Sequence, residues 1–442
     1  MGKPERHPPG LYVLFFTEMW ERFGFYSMLA MFTLYLQNSE QGLGWTKTEA
    51  TRLYSIYLAA VYASPIVGGF IADRGLGFFR SVLIGGVVFM AGYFLLSVPG
   101  AWAVYGALAL LVVGNGFFKP NVSAMVGHLY PEGSHLKDRA YNIFYMGINI
   151  GALLAPLVAA YMRDRFGYHA AFAVAGVGMI ASVCILWGFR RYVLGAAAAP
   201  QAAAGSVTAR AVDAVPDWKR VAALLVVFTI VIVFWMVFHQ NGSTLTYWAK
   251  DNTDWSAVGL NPENEKDRDV LGIISNAINP FWVVTLSFPF VWFWRAMDRR
   301  GLELSTPAKM ATGMALLGLS FFVLYFAARG GEQGLTEETR YDFRVSLGWL
   351  VLTYFLATVG ELSLSPMGLS LVSKVAPTRL RGLMMGGWFV ATAIGNSLTA
   401  IGVYWDQWWH SSFFALLGGM ALVMSLVLFL LLRPLKKAMP GV

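Results

Sequence analysis

Cysteine and charge are both scarce in this 442-residue sequence. Cys184 is the only cysteine, so an intrachain disulfide and a cysteine-based metal site are excluded. Only 13% of the residues are charged, whereas 57% are hydrophobic. Because one globular core cannot bury so many apolar residues, a soluble protein is excluded as well. The composition predicts an integral membrane protein whose surroundings are a lipid bilayer.

Residue patterns that mark a catalytic centre are also missing. The six histidines lack the spacing of metal ligands, and no Gly-x-Ser-x-Gly motif stands between a strand and a helix. The formal charge of +8 lies in short connections between apolar runs and forms no continuous basic patch. We therefore expect no enzyme activity, no metal, no cofactor and no nucleic-acid partner.

Long apolar runs dominate the sequence instead. A membrane-spanning helix needs about 20 mostly apolar residues, and twelve runs approach or exceed that length. They cover approximately 11–37, 49–72, 80–98, 102–127, 140–162, 169–189, 220–248, 270–297, 307–328, 345–373, 383–404 and 412–432. The sequence therefore predicts an all-α membrane protein with 12 transmembrane helices.

Basic residues are concentrated in every second connection between these runs. Examples are Arg74 with Arg80, Arg190 with Arg191, and Arg299 with Arg300, whereas the connections 250–269 and 329–344 are acidic or neutral. Connections rich in Lys and Arg stay on the cytoplasmic side. We predict a multi-pass protein of the plasma membrane, the inner membrane of a bacterium, with both termini in the cytoplasm.

An Ala-rich segment divides the chain into two halves. Residues 195–216 combine Ala with Gly and Pro, a composition typical of a flexible linker. The halves also resemble each other, since an Asp-Arg pair follows the second apolar run of each, at 73–74 and 298–299. This predicts an N-terminal six-helix bundle (1–194), a cytoplasmic linker (195–216) and a C-terminal six-helix bundle (217–442).

Charged residues inside the first apolar run give the strongest functional signal. Glu21 and Arg22 follow Glu18 by three and four residues, so the three side chains share one helix face. Tyr26 lies one turn further on. A charge at the centre of a bilayer costs about 2.5–3.5 kcal/mol on insertion scales. The face therefore lines a polar route. The alternative, in which Arg22 only neutralises one carboxylate at a helix contact, leaves the second carboxylate uncompensated.

Two later runs each contribute one further charge. Lys119 precedes Pro120 in the fourth run, and Glu361 follows Gly360 in the tenth. Lys119 either pairs with an acid to hold helices together or presents its ammonium group to a carboxylate-bearing solute. Together with Arg22, these residues predict a site of both signs that suits a zwitterion.

Five motifs together resemble the proton-dependent oligopeptide transporter family of the major facilitator superfamily. They are Glu-x-x-Glu-Arg-Phe-x-x-Tyr (18–26), Phe-Phe-Lys-Pro-Asn (117–121), Phe-Trp-x-x-Phe-x-Gln-x-Gly-Ser (234–243), Asn-Pro-Phe (279–281) and Gly-Glu-Leu-x-Leu-Ser-Pro-x-Gly-Leu-Ser (360–370). The resemblance implies two six-helix bundles around a central substrate cavity. It also implies a symporter that imports di- and tripeptides together with protons by alternating access.

The resemblance implies a role for each candidate residue. Arg22 and Lys119 are expected to bind the carboxylate of the peptide, and Glu361 is expected to bind its amine with help from Asn149 and Asn279. The remaining substrate contacts are expected at Tyr26, Tyr62, Trp235, Trp388 and Phe389. Proton coupling is assigned to Glu18, Glu21, Arg22, Lys119 and Glu361. Gating at the cytoplasmic helix ends is assigned to Asp73, Arg74 and Arg80.

The chain departs from the family pattern at one motif position. Phe25 stands where the family usually has a second tyrosine, so this chain lacks one phenol that the resemblance would assign to a substrate hydrogen bond. His239 is expected either to pack against its neighbours or to titrate during transport. The alternative function is a proton-coupled symporter of the same superfamily for nitrate, an amino acid or a sugar. We predict a monomer, driven by the proton gradient.

Overall fold

The computed structural model describes residues 7–130, 136–194, 215–260, 265–302, 304–377 and 380–439. Within these ranges the chain is almost entirely helical, and twelve helices have 18 or more residues. All but the last two residues of the predicted linker, 195–216, lie outside the described residues. The conformation of that linker therefore stays a prediction.

Six long helices and one short helix are found among the described residues before the linker. They are α1 (Pro9–Gln37), α2 (Lys47–Ile71), α3 (Phe78–Leu96), α4 (Ala101–His128), α5 (Leu136–Phe166), α6 (Tyr168–Gly188) and α7 (Arg191–Leu194). A five-residue π-helical turn, Ala72–Leu76, extends α2. These bounds agree with the predicted runs to within a few residues.

Nine helices are described after the linker. They are α8 (Asp217–Phe238), α9 (Thr244–Asp251), α10 (Glu265–Ser275), α11 (Ile278–Arg299), α12 (Thr306–Gly331), α13 (Leu347–Val375), α14 (Arg381–Leu398), α15 (His410–Leu430) and α16 (Leu432–Ala438). Two short strands, β1 (Thr253–Asp254) and β2 (Val345–Ser346), pair in parallel, with Thr253 opposite Val345.

Three predicted runs are interrupted where the sequence analysis treats them as continuous. The run 220–248 consists of α8, a 3₁₀ turn at His239–Gly242 and the start of α9. The run 270–297 is divided between α10 and α11, and Pro280 lies in the first turn of α11, where its missing N–H breaks no helical hydrogen bond. The run 383–404 ends in a 3₁₀ turn at Thr399–Tyr404.

The all-α membrane fold is confirmed, whereas the number of spans is confirmed only in part. Ten helical segments of the described residues are long and apolar enough to cross a bilayer. The two long helices outside this set are α1, which carries Glu18, Glu21 and Arg22, and α14, which has 18 residues including four glycines. A bilayer crossing by these two helices stays a prediction.

The chain forms two compact units. Unit 1 comprises residues 1–44 and 63–204, and unit 2 comprises residues 45–62 and 205–442. Helix α2 therefore contributes its first 16 residues to unit 2 and the rest to unit 1. The predicted bundles 1–194 and 217–442 stay a prediction.

Close helix contacts hold the charged helices in place within each unit. In unit 1 the hydroxyl of Ser182 on α6 donates to the Thr17 carbonyl oxygen of α1 at 2.7 Å. Helices α3 and α4 approach through Gly85 and Gly114, where a methyl group on Gly85 would lie 2.8 Å from the Gly114 carbonyl oxygen. Small residues of this kind let membrane helices pack backbone to backbone. Lys119 lies just over one turn beyond this contact on α4.

Unit 2 has the same kind of glycine contact between the corresponding helices of its half. A methyl group on Gly313 of α12 would lie 2.6 Å from the Gly360 carbonyl oxygen of α13, and the reverse distance is also 2.6 Å. Glu361 directly follows this contact. In both halves, therefore, the third and fourth long helices meet at a glycine pair close to a charged residue of the fourth helix, Lys119 or Glu361.

Candidate functional site

The predicted charge cluster of α1 forms in unit 1. The side chains of Glu18, Glu21 and Arg22 are almost completely buried, with 2%, 0% and 2% of their surfaces exposed. Arg22 Nη2 donates to Glu21 Oε1 at 2.7 Å, and Arg22 Nε donates to Glu21 Oε2. Glu21 therefore binds the guanidinium through both carboxylate oxygens, the strong bidentate arrangement.

Glu18 is held more weakly than Glu21. Its Oε1 lies 3.4 Å from Arg22 Nε, whose hydrogen is already directed to Glu21. Its other oxygen, Oε2, is buried and has no hydrogen-bond partner among the described residues. Glu18 and Glu21 thus share the guanidinium group of Arg22, and Glu18 keeps one carboxylate oxygen that accepts no hydrogen bond from the described residues.

Lys119 and Tyr26 belong to the same cluster. The ammonium group of Lys119 on α4 interacts electrostatically with Glu18, Glu21 and Arg22, and Tyr26 interacts with Arg22. Including Lys119, the cluster contains two cations and two carboxylates. A structural role of Lys119 in holding α1 to α4 and a role in binding a solute are both compatible with this placement.

Phe25, the residue that departs from the family pattern, supports Arg22. Its ring is buried and lies under the guanidinium, with 4.9 Å between Arg22 Cζ and the ring centroid. It also packs edge to face with Tyr26 at 5.3 Å. A buried ring at this position contributes a cation–π contact where a phenol is absent.

Other residues predicted for unit 1 contact neighbours outside this cluster. Asn149 on α5 is buried and donates to the Tyr145 carbonyl oxygen of its own helix at 2.9 Å. Asp73, Arg74 and Arg80 are exposed around the π-helical turn, and Arg74 stacks on Phe70 with Cζ 4.2 Å from the ring centroid. In the described part of the chain neither Asp73 nor Arg80 forms an ion pair. The side chain of Asp298, from the corresponding loop, lies outside the described residues.

A second carboxylate site lies in unit 2. Asn279 Nδ2, at the start of α11, donates to Glu361 Oε2 at 3.1 Å and contacts Thr358 Oγ1 at 2.9 Å. Thr358 in turn donates to the Tyr354 carbonyl oxygen at 2.7 Å, so its hydroxyl oxygen is oriented to accept from Asn279. Within the described residues of unit 2, Glu361 has neutral neighbours and no ion pair.

The predicted aromatic residues of unit 2 form two groups. In the first, Trp235 stacks on His239 with ring centroids 4.8 Å apart, and Tyr62 lies 5.6 Å from the same imidazole. In the second, Trp388 packs edge to face against Phe228 at 6.3 Å. Phe389, the neighbour of Trp388, is half-buried. Tyr62 and Trp235 therefore both contact His239, whereas Trp388 contacts Phe228.

The sequence profile of the POT family matches residues 79–194 and 194–405. The chain belongs to the POT family. YclF, an uncharacterized transporter of Bacillus subtilis (strain 168), is 32% identical over 99% of this chain and 96% of its own length. The di-/tripeptide transporter of Lactococcus lactis subsp. lactis (strain IL1403) is 30% identical over 98% of this chain and 97% of its own length.

A solved structure of a POT family protein has the same fold. It is a glutamate-to-glutamine mutant of peptide transporter POT in complex with alafosfalin. The sequences are 31% identical, the TM-score is 0.84, and the match covers 98% of this chain and 96% of the solved chain. The family resemblance inferred from the five motifs is thereby confirmed, and a membrane location follows from the family and the spans.

The sequence analysis of this POT family member missed part of the polar network around His239. His239 Nδ1 is hydrogen-bonded to Asn396 Oδ1, and Gln240 Nε2 donates to the carbonyl oxygens of Met236 and Thr399 at 3.1 and 3.3 Å. Gln240 Oε1 accepts from Thr244 at 2.9 Å. Gln240 belongs to the motif at 234–243 and could have been identified from it, whereas Asn396 belongs to none of the five motifs. The packing interpretation of His239 fits its stacked and hydrogen-bonded position.

Proposed function

We propose that this protein is a proton-coupled symporter that imports di- and tripeptides by alternating access. The observation that carries the proposal is the buried cluster in which Glu18 and Glu21 share Arg22. A cluster with an unpartnered carboxylate oxygen inside a membrane protein suits proton exchange more than a static helix contact. The name of the Lactococcus lactis relative supports peptides as the solute.

The two ends of a peptide require opposite charges. We assign the carboxylate end to Arg22 and Lys119, since guanidinium and ammonium groups bind carboxylates through charge-assisted hydrogen bonds. Tyr26 and Tyr62 supply phenolic hydroxyl groups for the peptide backbone or its carboxylate. In this assignment the intrinsic partners of the two cations, Glu18 and Glu21, compete with the substrate.

The amine end is assigned to Glu361. Its neutral setting beside Asn279 supports this role, because a half-buried carboxylate without a cation is stabilised by a bound ammonium group. Asn149 is proposed as a further polar contact for the amine. Trp235, Trp388 and Phe389 are proposed to line the pockets for the peptide side chains, where apolar surface accepts varied groups.

Proton coupling is assigned to Glu18 and Glu21, acting with Arg22, Lys119 and Glu361. Protonation of one carboxylate removes a competitor for Arg22 and leaves the guanidinium to a substrate carboxylate. Asp73, Arg74 and Arg80 are proposed to control the cytoplasmic helix ends. We further propose a monomer in the bacterial inner membrane, with both termini cytoplasmic, no enzyme activity and the proton gradient in place of a cofactor.

Uptake by the purified protein in proteoliposomes tests this function. Radiolabelled dialanine is expected to accumulate above its external concentration when the lumen is more alkaline than the medium, and to reach only equilibrium when the gradient is collapsed with an uncoupler. Nitrate, glucose and free alanine are added as competitors in excess. Accumulation that is insensitive to the uncoupler would contradict proton coupling, and stronger competition by nitrate, glucose or alanine than by unlabelled dialanine would favour the alternative symporter.

A further inference from the structure

A polar cavity of about 450 Å³ lies within unit 2, outside the residues assigned to transport. Its lining is formed by the connections around β1 and β2 together with the ends of four helices. The lining residues are Lys47, Asp251, Asn252, Arg268, Tyr341, Asp342, Phe343, Arg344 and His410. The volume falls in the range of pockets that hold small molecules. On the predicted topology this cavity lies on the side of the membrane opposite the cytoplasm.

His410 is the most unusual residue of this lining. Only 2% of its surface is exposed, and its imidazole lies between the rings of Trp405 and Tyr341, with centroid distances of 3.8 and 4.6 Å. Neither ring nitrogen has a hydrogen-bond partner among the described residues. A buried imidazole normally satisfies both nitrogens, because leaving a buried polar group unpaired costs about 1–3 kcal/mol. The stacked rings hold the imidazole in place, and a bound solute would supply the missing hydrogen-bond partner.

Two further lining atoms also lack partners in the part of the chain that the structure describes. Asn252 uses its amide group to donate to the Tyr341 and Phe343 carbonyl oxygens at 3.1 and 3.0 Å, but its buried Oδ1 accepts no hydrogen bond. Arg268 Nε is buried and donates to no acceptor. The lining therefore offers one free acceptor, one free guanidinium N–H and an imidazole that can do either.

Two arginines of the cavity lining, Arg268 and Arg344, are candidates for binding an anion, and Arg344 also interacts electrostatically with Asp254. Lys47 is already paired with Asp251 at 3.0 Å and with Asp406 at 3.4 Å. Among the described residues, Arg268 and Arg344 form no ion pair within 4 Å, and Asp342 is the remaining acidic residue of the lining. Arginine binds a carboxylate through two parallel hydrogen bonds.

We propose that this cavity binds a small carboxylate that also carries an amide or amino N–H group. Arg268 and Arg344 bind the carboxylate, and Asn252 Oδ1 accepts a hydrogen bond from the N–H group. His410, held by its stacked neighbours, forms a further hydrogen bond to the ligand through a ring nitrogen. The site is separate from the residues assigned to peptide transport, so its occupation does not depend on the proposed function.

N-acetylglycine is a suitable probe, since it has a carboxylate and an amide N–H but no amine. Binding to the purified full-length protein is measured by saturation-transfer difference NMR in titrations that give an apparent Kd. N-methylacetamide, which lacks the carboxylate, is expected to give no saturable signal. Arg268→Gln and Arg344→Gln are each expected to raise the apparent Kd at least about tenfold, because each removes a charge-assisted hydrogen bond.

Matched variants decide whether the probe binds in this cavity. Arg329→Gln removes an exposed arginine outside the lining and should leave the apparent Kd unchanged. His410→Phe keeps the stacked ring but removes both nitrogens, and it should also weaken binding. If His410→Phe does not fold, as judged by size-exclusion chromatography, Arg344→Gln still provides the test, because Arg344 is exposed.

Three results would overturn the proposal. The first is an absence of saturable N-acetylglycine binding by the unaltered protein. The second is an unchanged apparent Kd in Arg268→Gln and Arg344→Gln. The third is loss of the signal in Lys119→Ala, which would place the probe at the residues assigned to transport. A Lys119→Ala protein that loses dialanine uptake but retains N-acetylglycine binding supports the cavity independently of transport.

Discussion

The carboxylates of α1 and the carboxylate of α13 are held in opposite ways. Glu21 binds Arg22 through two oxygens and Glu18 approaches the same guanidinium, whereas Glu361 in unit 2 is held by the neutral Asn279. In a buried ion pair each charge has its partner within the protein. Removing one partner leaves an unpaired charge at a cost of about 3–5 kcal/mol. Glu361, by contrast, is half-buried and has only neutral neighbours among the described residues of unit 2. The carboxylates of α1 are therefore paired within the protein, whereas Glu361 is proposed to pair with a cation of the substrate.

The largest effect is expected from Lys119→Ala. If the cations of unit 1 bind the substrate carboxylate, this change should reduce dialanine uptake by more than about 100-fold, because a buried carboxylate short of a cation is destabilised by several kcal/mol. Uptake is measured in proteoliposomes at equal protein content. Lys219→Ala, at an exposed lysine of α8, is the matched control and should transport normally. Normal uptake by Lys119→Ala would leave Lys119 with only the structural role.

Glu18→Gln and Glu21→Gln test the difference within the α1 cluster. Both should lose accumulation against a gradient while they retain exchange between equal peptide concentrations. Only Glu21→Gln should clearly lower the unfolding temperature, because it removes the bidentate partner of buried Arg22. Thermal unfolding in detergent measures that difference. Equal unfolding temperatures would show that Glu18 and Glu21 support Arg22 alike, and accumulation by both variants would remove them from coupling.

Glu361→Gln tests the proposed role of Glu361 in binding the amine of the peptide. In the unaltered protein, N-acetyl-dialanine should compete with labelled dialanine at least about tenfold more weakly than free dialanine, because it brings no ammonium group for Glu361. The variant should reduce that ratio towards one. Glu337→Gln, at an acidic residue that pairs with Arg340 outside the candidate site, should preserve the ratio. Equal competition by both peptides in the unaltered protein would contradict the amine assignment.

The smallest effect is expected from Thr358→Val. This change keeps the shape of the side chain but removes the oxygen that accepts from Asn279. Loss of one neutral hydrogen bond costs about 1 kcal/mol, so the KM for dialanine should rise roughly fivefold with little change in kcat. The KM is measured from initial uptake rates. An unchanged KM would show that Thr358 does not orient Asn279 for the substrate.

Local periodicity predicted the α1 cluster because its members belong to one helix. Residues three and four apart share a face whatever the neighbouring helices do, so Glu18, Glu21 and Arg22 were found without knowledge of the fold. Lys119 and Glu361 were recognisable as isolated charges in apolar runs. Their family roles came from the resemblance, since no sequence spacing joins α4 to α1 or α13 to α11.

Features that depend on contacts between distant segments were not predicted. The hydrogen bond between His239 and Asn396 joins residues 157 positions apart, and the pairing of β1 with β2 joins segments about 90 positions apart. The polar cavity was not predicted for the same reason, because Lys47, Arg268 and His410 come from three separate parts of the chain. Single sequences report local preference well, but they do not report which distant side chains meet.

The contact between Gly313 and Gly360 has a consequence for measuring motion in this protein. The backbones of α12 and α13 touch there without an intervening side chain that could change rotamer. Pairs of spin labels placed on the exposed surfaces of these two helices should therefore report one narrow distance in every state of the protein. That constant distance would serve as an internal standard against which the movements of other helices are calibrated.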